Sequence, residues 1–130
     1  MARVLFDTTV LIDALRGCPA AARMRGLRLG GDVCYVCIVN VEEVVRGLRP
    51  PERGSALRLL HGLRLAPLSH AEGVQAGDWR QTYARMGTTL SQADCLIGAA
   101  ARAVGARLAT GNPKDFPMPE LDVEHWPVGV

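Results

Sequence analysis

A chain of 130 residues, 48% hydrophobic and 22% charged, has room for one domain that buries about two-thirds of its unfolded surface, and it is neither disordered nor fibrous in composition. Its charge of +2 is too near neutral to mark a nucleic-acid binder by bulk electrostatics, although every positive side chain except Lys114 is an arginine, whose fork matches phosphate. No window approaches the ~20 apolar residues that span a bilayer, and Asp7 and Asp13 break the opening apolar run, so neither a membrane anchor nor a signal peptide is expected and a cytoplasmic location is.

Val4-Leu5-Phe6 has the composition of a short buried strand, and Asp7-Thr8-Thr9 turns from it into a helix over Val10–Arg16, closed by Gly17. An Asp just past a strand either stands ready for chemistry at the carboxyl edge of a sheet or caps the next helix. Pro19 suits a first helical position, and the helix it opens runs to Leu29. Its Arg23, Arg25 and Arg28 cannot all face a core; they make a solvated face or meet a phosphate or partner. Val33–Val39 is the strongest strand signal and should lie inside the sheet. Within it Cys34 and Cys37 match C-x-x-C, but strand residues three apart point to opposite faces. With Cys18 and Cys95 they are expected to be reduced and buried, not metal-binding or redox-active. Asn40 is a natural N-cap for a helix over 41–48, with Glu43 at capping-box distance and Glu42 beside it.

Pro50-Pro51 separates that helix from another over 52–63, with Leu57, Leu60 and Leu63 at helical spacing. Leu65–Leu68 has the makings of a short strand that Pro67 confines to a sheet edge or to irregular structure. A helix from Ala71 to Met86 carries Val74, Trp79, Tyr83 and Met86, of which Trp79 and Tyr83 form a core pair and not a base-stacking platform. After the loop Gly87–Leu90, Ser91 caps the helix that ends near Val104, placing Asp94 at its third position and Leu96, Ile97 and Ala100 inward. Ala106–Thr110 is a strand, Gly111–Pro117 a turn bearing Asn112 and Asp115, and Asp122–Trp126 the last strand. His61, His70 and His125 have no partner at ligand spacing.

Strands that alternate with helices predict an α/β fold with a parallel sheet and helices on its faces. Four acids share one placement, just past a strand or in the first turns of a helix: Asp7, Glu43, Asp94 and Asp115. A parallel sheet would gather them at one edge. Carboxylates brought together repel unless one is protonated or a cation neutralises them, and an all-oxygen set favours Mg²⁺ or Mn²⁺. Such an ion polarises a phosphoryl oxygen and generates a hydroxide-like nucleophile.

The succession Phe6-Asp7-Thr8, Glu43-Val44-Val45-Arg46-Gly47, Leu90-Ser91-Gln92-Ala93-Asp94 and Ala109-Thr110-Gly111-Asn112-Pro113-Lys114-Asp115-Phe116 resembles the PIN-domain nucleases, and more narrowly the ribonuclease toxins of bacterial VapBC toxin–antitoxin pairs. The resemblance covers almost the whole chain. It implies one nuclease domain over 1–130, in three α/β/α layers around a mainly parallel sheet of about four to five strands. It further implies a Mg²⁺- or Mn²⁺-dependent endoribonuclease, neutralised by a cognate VapB-type antitoxin and commonly dimeric. Carried over by residue, Asp7, Asp94 and Asp115 match the metal-site acids. Glu43, with Gly47 four residues on, completes the catalytic set, and Thr8, Thr110 and Asn112 match supporting polar positions. Thr9 stands where the family commonly has Asn, and the last acidic position varies between the sites of Asn112 and Asp115.

Two other functions remain open on the sequence. One is a non-catalytic module that keeps the fold and binds RNA or a partner. The other is a phosphatase of the haloacid dehalogenase type, which also opens on a strand ending in Asp but requires a second Asp where this chain has Thr9.

Overall fold

The computed structural model describes residues 1–129. Strands β1 (Arg3–Phe6), β2 (Val33–Cys37), β3 (Arg64–Ala66), β4 (Arg107–Thr110) and β5 (Val123–His125) form a single sheet in the order β3-β2-β1-β4-β5. Every neighbouring pair is parallel, so the sheet is wholly and not merely mainly parallel. At its centre Leu5 lies opposite Tyr35 on one side and Leu108 on the other.

The two-residue period of the strands divides the core. Leu5, Tyr35, Cys37 and Leu108 point to the side covered by α5 (His70–Arg85) and α6 (Gln92–Ala103), where they meet Trp79, Cys95 and Ile97. Val4, Phe6, Cys34, Val36 and Ala109 point to the side covered by α1 (Thr8–Leu15), α2 (Pro19–Leu29), α3 (Ile38–Arg46) and α4 (Arg53–His61), and Trp126 seals that layer. Cys34 and Cys37 thus sit in different cores, as their spacing requires, and all four cysteines are free thiols. The helical layer nearest the sheet on the α6 side is tight: a Cβ at Gly98 would come within 2.9 Å of Leu121 and 3.4 Å of Trp79. Small residues let α6 lie this close.

The chain steps outward from β1 to β2 to β3 with α1–α4 on one face, then returns through α5 and α6 on the other face to place β4 beside β1. The direction of winding reverses between β1 and β4. In open α/β sheets the crevice at that reversal, beyond the carboxyl ends of the strands, is where ligands bind. Asp7 follows β1 and Gly111-Asn112 follows β4, so both segments end in this crevice.

Several element boundaries differ from the sequence reading. β2 stops at Cys37, and Asn40 is the third residue of α3, not its N-cap; its Oδ1 accepts from the Cys37 amide at 3.1 Å. Glu43 therefore lies a full turn into α3, away from any capping box. The helix after β1 begins at Thr8, two residues before Val10, with Asp7 at its N-cap position. Pro50–Glu52 forms a 3₁₀ turn ahead of α4, because two consecutive prolines lack the N–H groups an α-helical turn would need further in. α5 begins at His70, where Ser69 and Glu72 close on each other: the Ser69 amide donates to Glu72 Oε1 at 2.8 Å. Val74 on that helix and Met86 just past its end are exposed, at 62% and 63%, while Trp79 is buried as expected. β3 is an edge strand, consistent with the proline that follows it.

Candidate active site

Asp7 is 6% exposed at the mouth of the crevice. It stands at the N-cap position of α1 without a side-chain cap bond, the carboxylate's one contact with that helix's backbone being the adjacent Thr8 amide. It turns across the sheet, where the Thr110 hydroxyl donates to Oδ2 at 2.7 Å and the Thr9 hydroxyl donates to the same oxygen at 3.3 Å. Both threonines are themselves held by backbone: Thr110 Oγ1 accepts from the Asn112 amide at 3.0 Å and Thr9 Oγ1 from the Gly111 amide at 2.9 Å. Gly111 allows this close approach, since a Cβ would come within 2.9 Å of Val128 and 3.2 Å of Thr9 Oγ1 and one of them would have to shift. The ends of β1 and β4 are thereby stitched together around one carboxylate.

Glu43 comes in from α3. The Thr8 hydroxyl donates to its Oε1 at 2.7 Å while accepting from Asn40 Nδ2 at 3.0 Å, which explains why Asn40, a fully buried amide, sits inside the helix. Glu42 points away, 62% exposed and paired with Arg46 at 3.6 Å, so of the two consecutive acids only Glu43 faces the site. Asp94 comes from the first turn of α6, where Ser91 Oγ accepts from the Asp94 amide at 3.0 Å. That cap fixes the backbone of a residue whose carboxylate is half-buried. Asp115 ends the 3₁₀ turn Pro113–Asp115 and shares the wall of a cleft with Asp94. Asn112 enters through its backbone amide, on Thr110, and not through its side chain.

The four acids sense one another. Burial pushes the Asp7 carboxyl above its ordinary value; hydrogen bonds from Thr110, the Thr8 amide and Thr9 oppose that rise, and the charge on Glu43 adds to it. Asp94 is pushed up to about 6, first by burial, against the Ser91 hydrogen bond, then by the charges of Asp7, Asp115 and Glu43. Among the described residues no Arg or Lys pairs with any of the four. Among the same residues no three His, Cys, Asp or Glu side chains already stand close enough to hold an ion, so the acids confront one another at longer range. The donor set still fits one kind of cofactor: all oxygen, uncompensated and costly to ionise together, it suits a hard divalent cation and no soft one.

The sequence model of one protein family, the PIN domain, matches residues 4–118, a span that contains every acid of the cluster. The chain belongs to the PIN-domain family. It is 35% identical over 116 residues to Ribonuclease VapC10 of Mycobacterium tuberculosis, covering 88% of this chain and 86% of the relative. Among solved structures, the PIN domain resembles VapBC2 from Rickettsia felis bound to a DNA fragment from its promoter, with a TM-score of 0.80, 21% identity and coverage of 95% and 98%. It also resembles a toxin–antitoxin complex from Klebsiella pneumoniae, with a TM-score of 0.72, 26% identity and coverage of 98% and 99%. Family membership removes the haloacid dehalogenase reading, whose fold family is a different one.

Of the residues expected from the sequence, Thr8 meets Glu43, Thr110 meets Asp7, and Asp94 feels the charges of Asp7, Asp115 and Glu43. Sequence reasoning missed the part played by Asn40, which the N-cap pattern disguised, and it gave Thr9 no role, where the Thr9 hydroxyl is one of the two on Asp7. For Thr9 the signal was available: a hydroxyl two residues past a strand-end acid is within reach of that acid.

Proposed function

We propose that this PIN domain is a metal-dependent endoribonuclease acting in the cytoplasm as the toxin of a toxin–antitoxin pair, hydrolysing RNA phosphodiester bonds until a VapB-type antitoxin covers the acidic crevice. The observation that carries the reading is four carboxylates from distant segments set around the sheet reversal with, among the described residues, no Arg or Lys in ion-pair contact with any of them. The kinship to Ribonuclease VapC10 supports the RNA substrate, and the likeness to toxin–antitoxin complexes supports the partner.

In this reading Asp7, Asp94 and Asp115 hold Mg²⁺ or Mn²⁺, and Glu43 orients the attacking water. A bound divalent ion would polarise the scissile phosphoryl oxygen and lower the pKa of a water beside it. The chain's own residues set the geometry: Thr110 and Thr9 fix the Oδ2 face of Asp7, and Thr8, itself fixed by Asn40, fixes Glu43. No step in this reading needs a His, Cys or Ser nucleophile.

The test is cleavage of total RNA with end mapping, in Mg²⁺, Mn²⁺ or EDTA, for the wild type and for Asp7→Asn and Asp94→Asn. Each substitution, and chelation, is expected to lower the rate by about 10³-fold or more without unfolding the protein. Cutting retained by both variants, or salt-dependent RNA binding without cutting at any metal concentration, overturns the reading.

A further inference from the structure

Asp94 and Asp115 line a cleft of about 260 Å³ that neither Asp7 nor Glu43 reaches. Its other walls come from Lys114, beside Asp115, and from Tyr83, Thr88 and Thr89 at the junction of α5 and α6. The wall is fixed: the Tyr83 hydroxyl donates to the Pro117 carbonyl at 3.1 Å, and the Thr88 amide donates to the Tyr83 carbonyl at 2.9 Å. The Thr88 and Thr89 side chains are exposed, and among the described residues their hydroxyls make no hydrogen bond within the protein.

The electrostatics of the proposed reaction pose a difficulty that this cleft answers. A cation at the acid cluster neutralises the scissile phosphate, but the next phosphate of the strand lies within a Debye length, about 8 Å in physiological salt, of Asp94 and Asp115. Something positive must stand there. Arg80, on α5 beside this cleft, is committed to the wall, its Nε donating to the Leu90 carbonyl at 3.3 Å. Lys114 is the chain's one lysine and the one basic residue lining this cleft; it is exposed and, among the described residues, has no carboxylate within ion-pair distance. A mobile ammonium with three donors suits a phosphate whose position varies with the strand, where a rigid guanidinium fork would demand one orientation.

We infer that Lys114, with the hydroxyls of Thr88 and Thr89, forms a subsite for the sugar-phosphate unit adjoining the scissile phosphate of single-stranded RNA. This rests on the nuclease reading above and adds to it where the strand runs: from the acid cluster over Asp94 and Asp115 toward the α5–α6 junction. Lys114 meets the phosphate and carries affinity without sequence preference, while the threonine hydroxyls are placed for the ribose 2′-OH that separates RNA from DNA.

The measurement is binding of a short fluorescein-labelled single-stranded RNA, and of the DNA of the same sequence, across a NaCl series in Mg²⁺, with Asp7→Asn as the non-cleaving background. Adding Lys114→Gln is expected to weaken RNA binding severalfold and to flatten the log–log salt slope by about 0.7, the contribution of one phosphate contact on a single strand. Lys114→Arg should restore the slope. The pair Thr88→Val and Thr89→Val should narrow the preference for RNA over DNA and leave the slope unchanged. In the cleaving protein Lys114→Gln should raise KM with kcat little altered, since the contact is present before and during bond breakage. An unchanged slope and affinity for Lys114→Gln overturn the subsite while cleavage by the wild type keeps the nuclease reading intact. A wild type that does not cut RNA removes both.

Discussion

Helix α1 carries a buried carboxylate near each end, and the two are treated in opposite ways. Asp13, 5% exposed, accepts from backbone amides with both oxygens: Ala20 at 3.1 Å on Oδ2 and Gly129 at 2.9 Å on Oδ1. It ties α1 to the first turn of α2 and to the C-terminal segment. Asp7, 6% exposed, is met by the hydroxyls of Thr110 and Thr9 and by the negative charge of Glu43. Chain-fixed amides meet both oxygens of Asp13, whereas the hydrogen bonds on Asp7 only partly offset its burial and the charge of Glu43. The same residue type, at similar burial, is structural at one end of the helix and held under electrostatic tension at the other.

Exchanging acid for amide at the two positions tests that contrast most severely. Asp13→Asn turns one acceptor oxygen into a donor facing an N–H, so one amide loses its partner and the other loses a charge-assisted bond. The expected loss is about 2–3 kcal/mol, read as a lower urea midpoint at unchanged m-value, with RNA cleavage per folded molecule intact. Asp7→Asn should do the reverse, removing cleavage and leaving the midpoint where it was or higher. Matching behaviour of the two variants would erase the distinction.

Asp94 sharpens the same contrast through pH. Its folded pKa of about 6 lies above its ordinary 3.8, so the folded state holds the proton more tightly than the unfolded chain. The cost of ionising it is therefore absent below about pH 4, grows as pH rises through the interval between the two values, and is complete above about 6. Asp94→Asn should stabilise the metal-free protein by about 1 kcal/mol at pH 7, a figure reduced for the part exposure of the side chain, and by nothing at pH 4. Equilibrium unfolding in EDTA at the two pH values reads this directly. A gain that is the same at both would mean the carboxylate cluster carries no strain. Asp13→Asn, which breaks satisfied bonds, should destabilise at neutral pH where Asp94→Asn stabilises.

The difference between these acids also marks what the sequence made legible. Strand and helix identity followed from period and composition, and because the sheet is parallel, the placement of each acid past a strand or at a helix start was enough to predict that they converge. Asp94 was legible down to its helical position, since Ser91 three residues earlier is a local signal. Asp13 was not: read along the chain it only interrupts an apolar run, and its partners Ala20 and Gly129 are backbone amides that any residue offers. Asn40 failed for a related reason. An Asn after a strand reads as a cap, whereas the demand it meets, a bond to Thr8 across the crevice, comes from a segment 32 positions away. Local grammar is visible in sequence; a side chain recruited by a distant element is visible only through its type.

Thr9 gives the smallest effect and the finest test. Its one oxygen accepts from the Gly111 amide at 2.9 Å and donates to Asp7 at 3.3 Å, the longer and weaker of the two hydroxyl contacts on that carboxylate. Thr9→Val keeps the shape and removes both bonds, leaving the Gly111 amide without its acceptor. The expected cost is about 1 kcal/mol in stability, with a fall in cleavage of a fewfold that additional Mg²⁺ partly recovers, because Thr110 still positions Asp7. Thr9→Ser should restore both bonds and both quantities. Thr9→Asn separates the two duties, since its carbonyl can accept from Gly111 while its amide donates to Asp7; it should therefore retain cleavage where Val loses it. A Val variant that cuts as well as Asn and Ser would show that Asp7 depends on Thr110 alone, and that the hydroxyl of Thr9 belongs with the amides of Asp13, holding the fold and not the site.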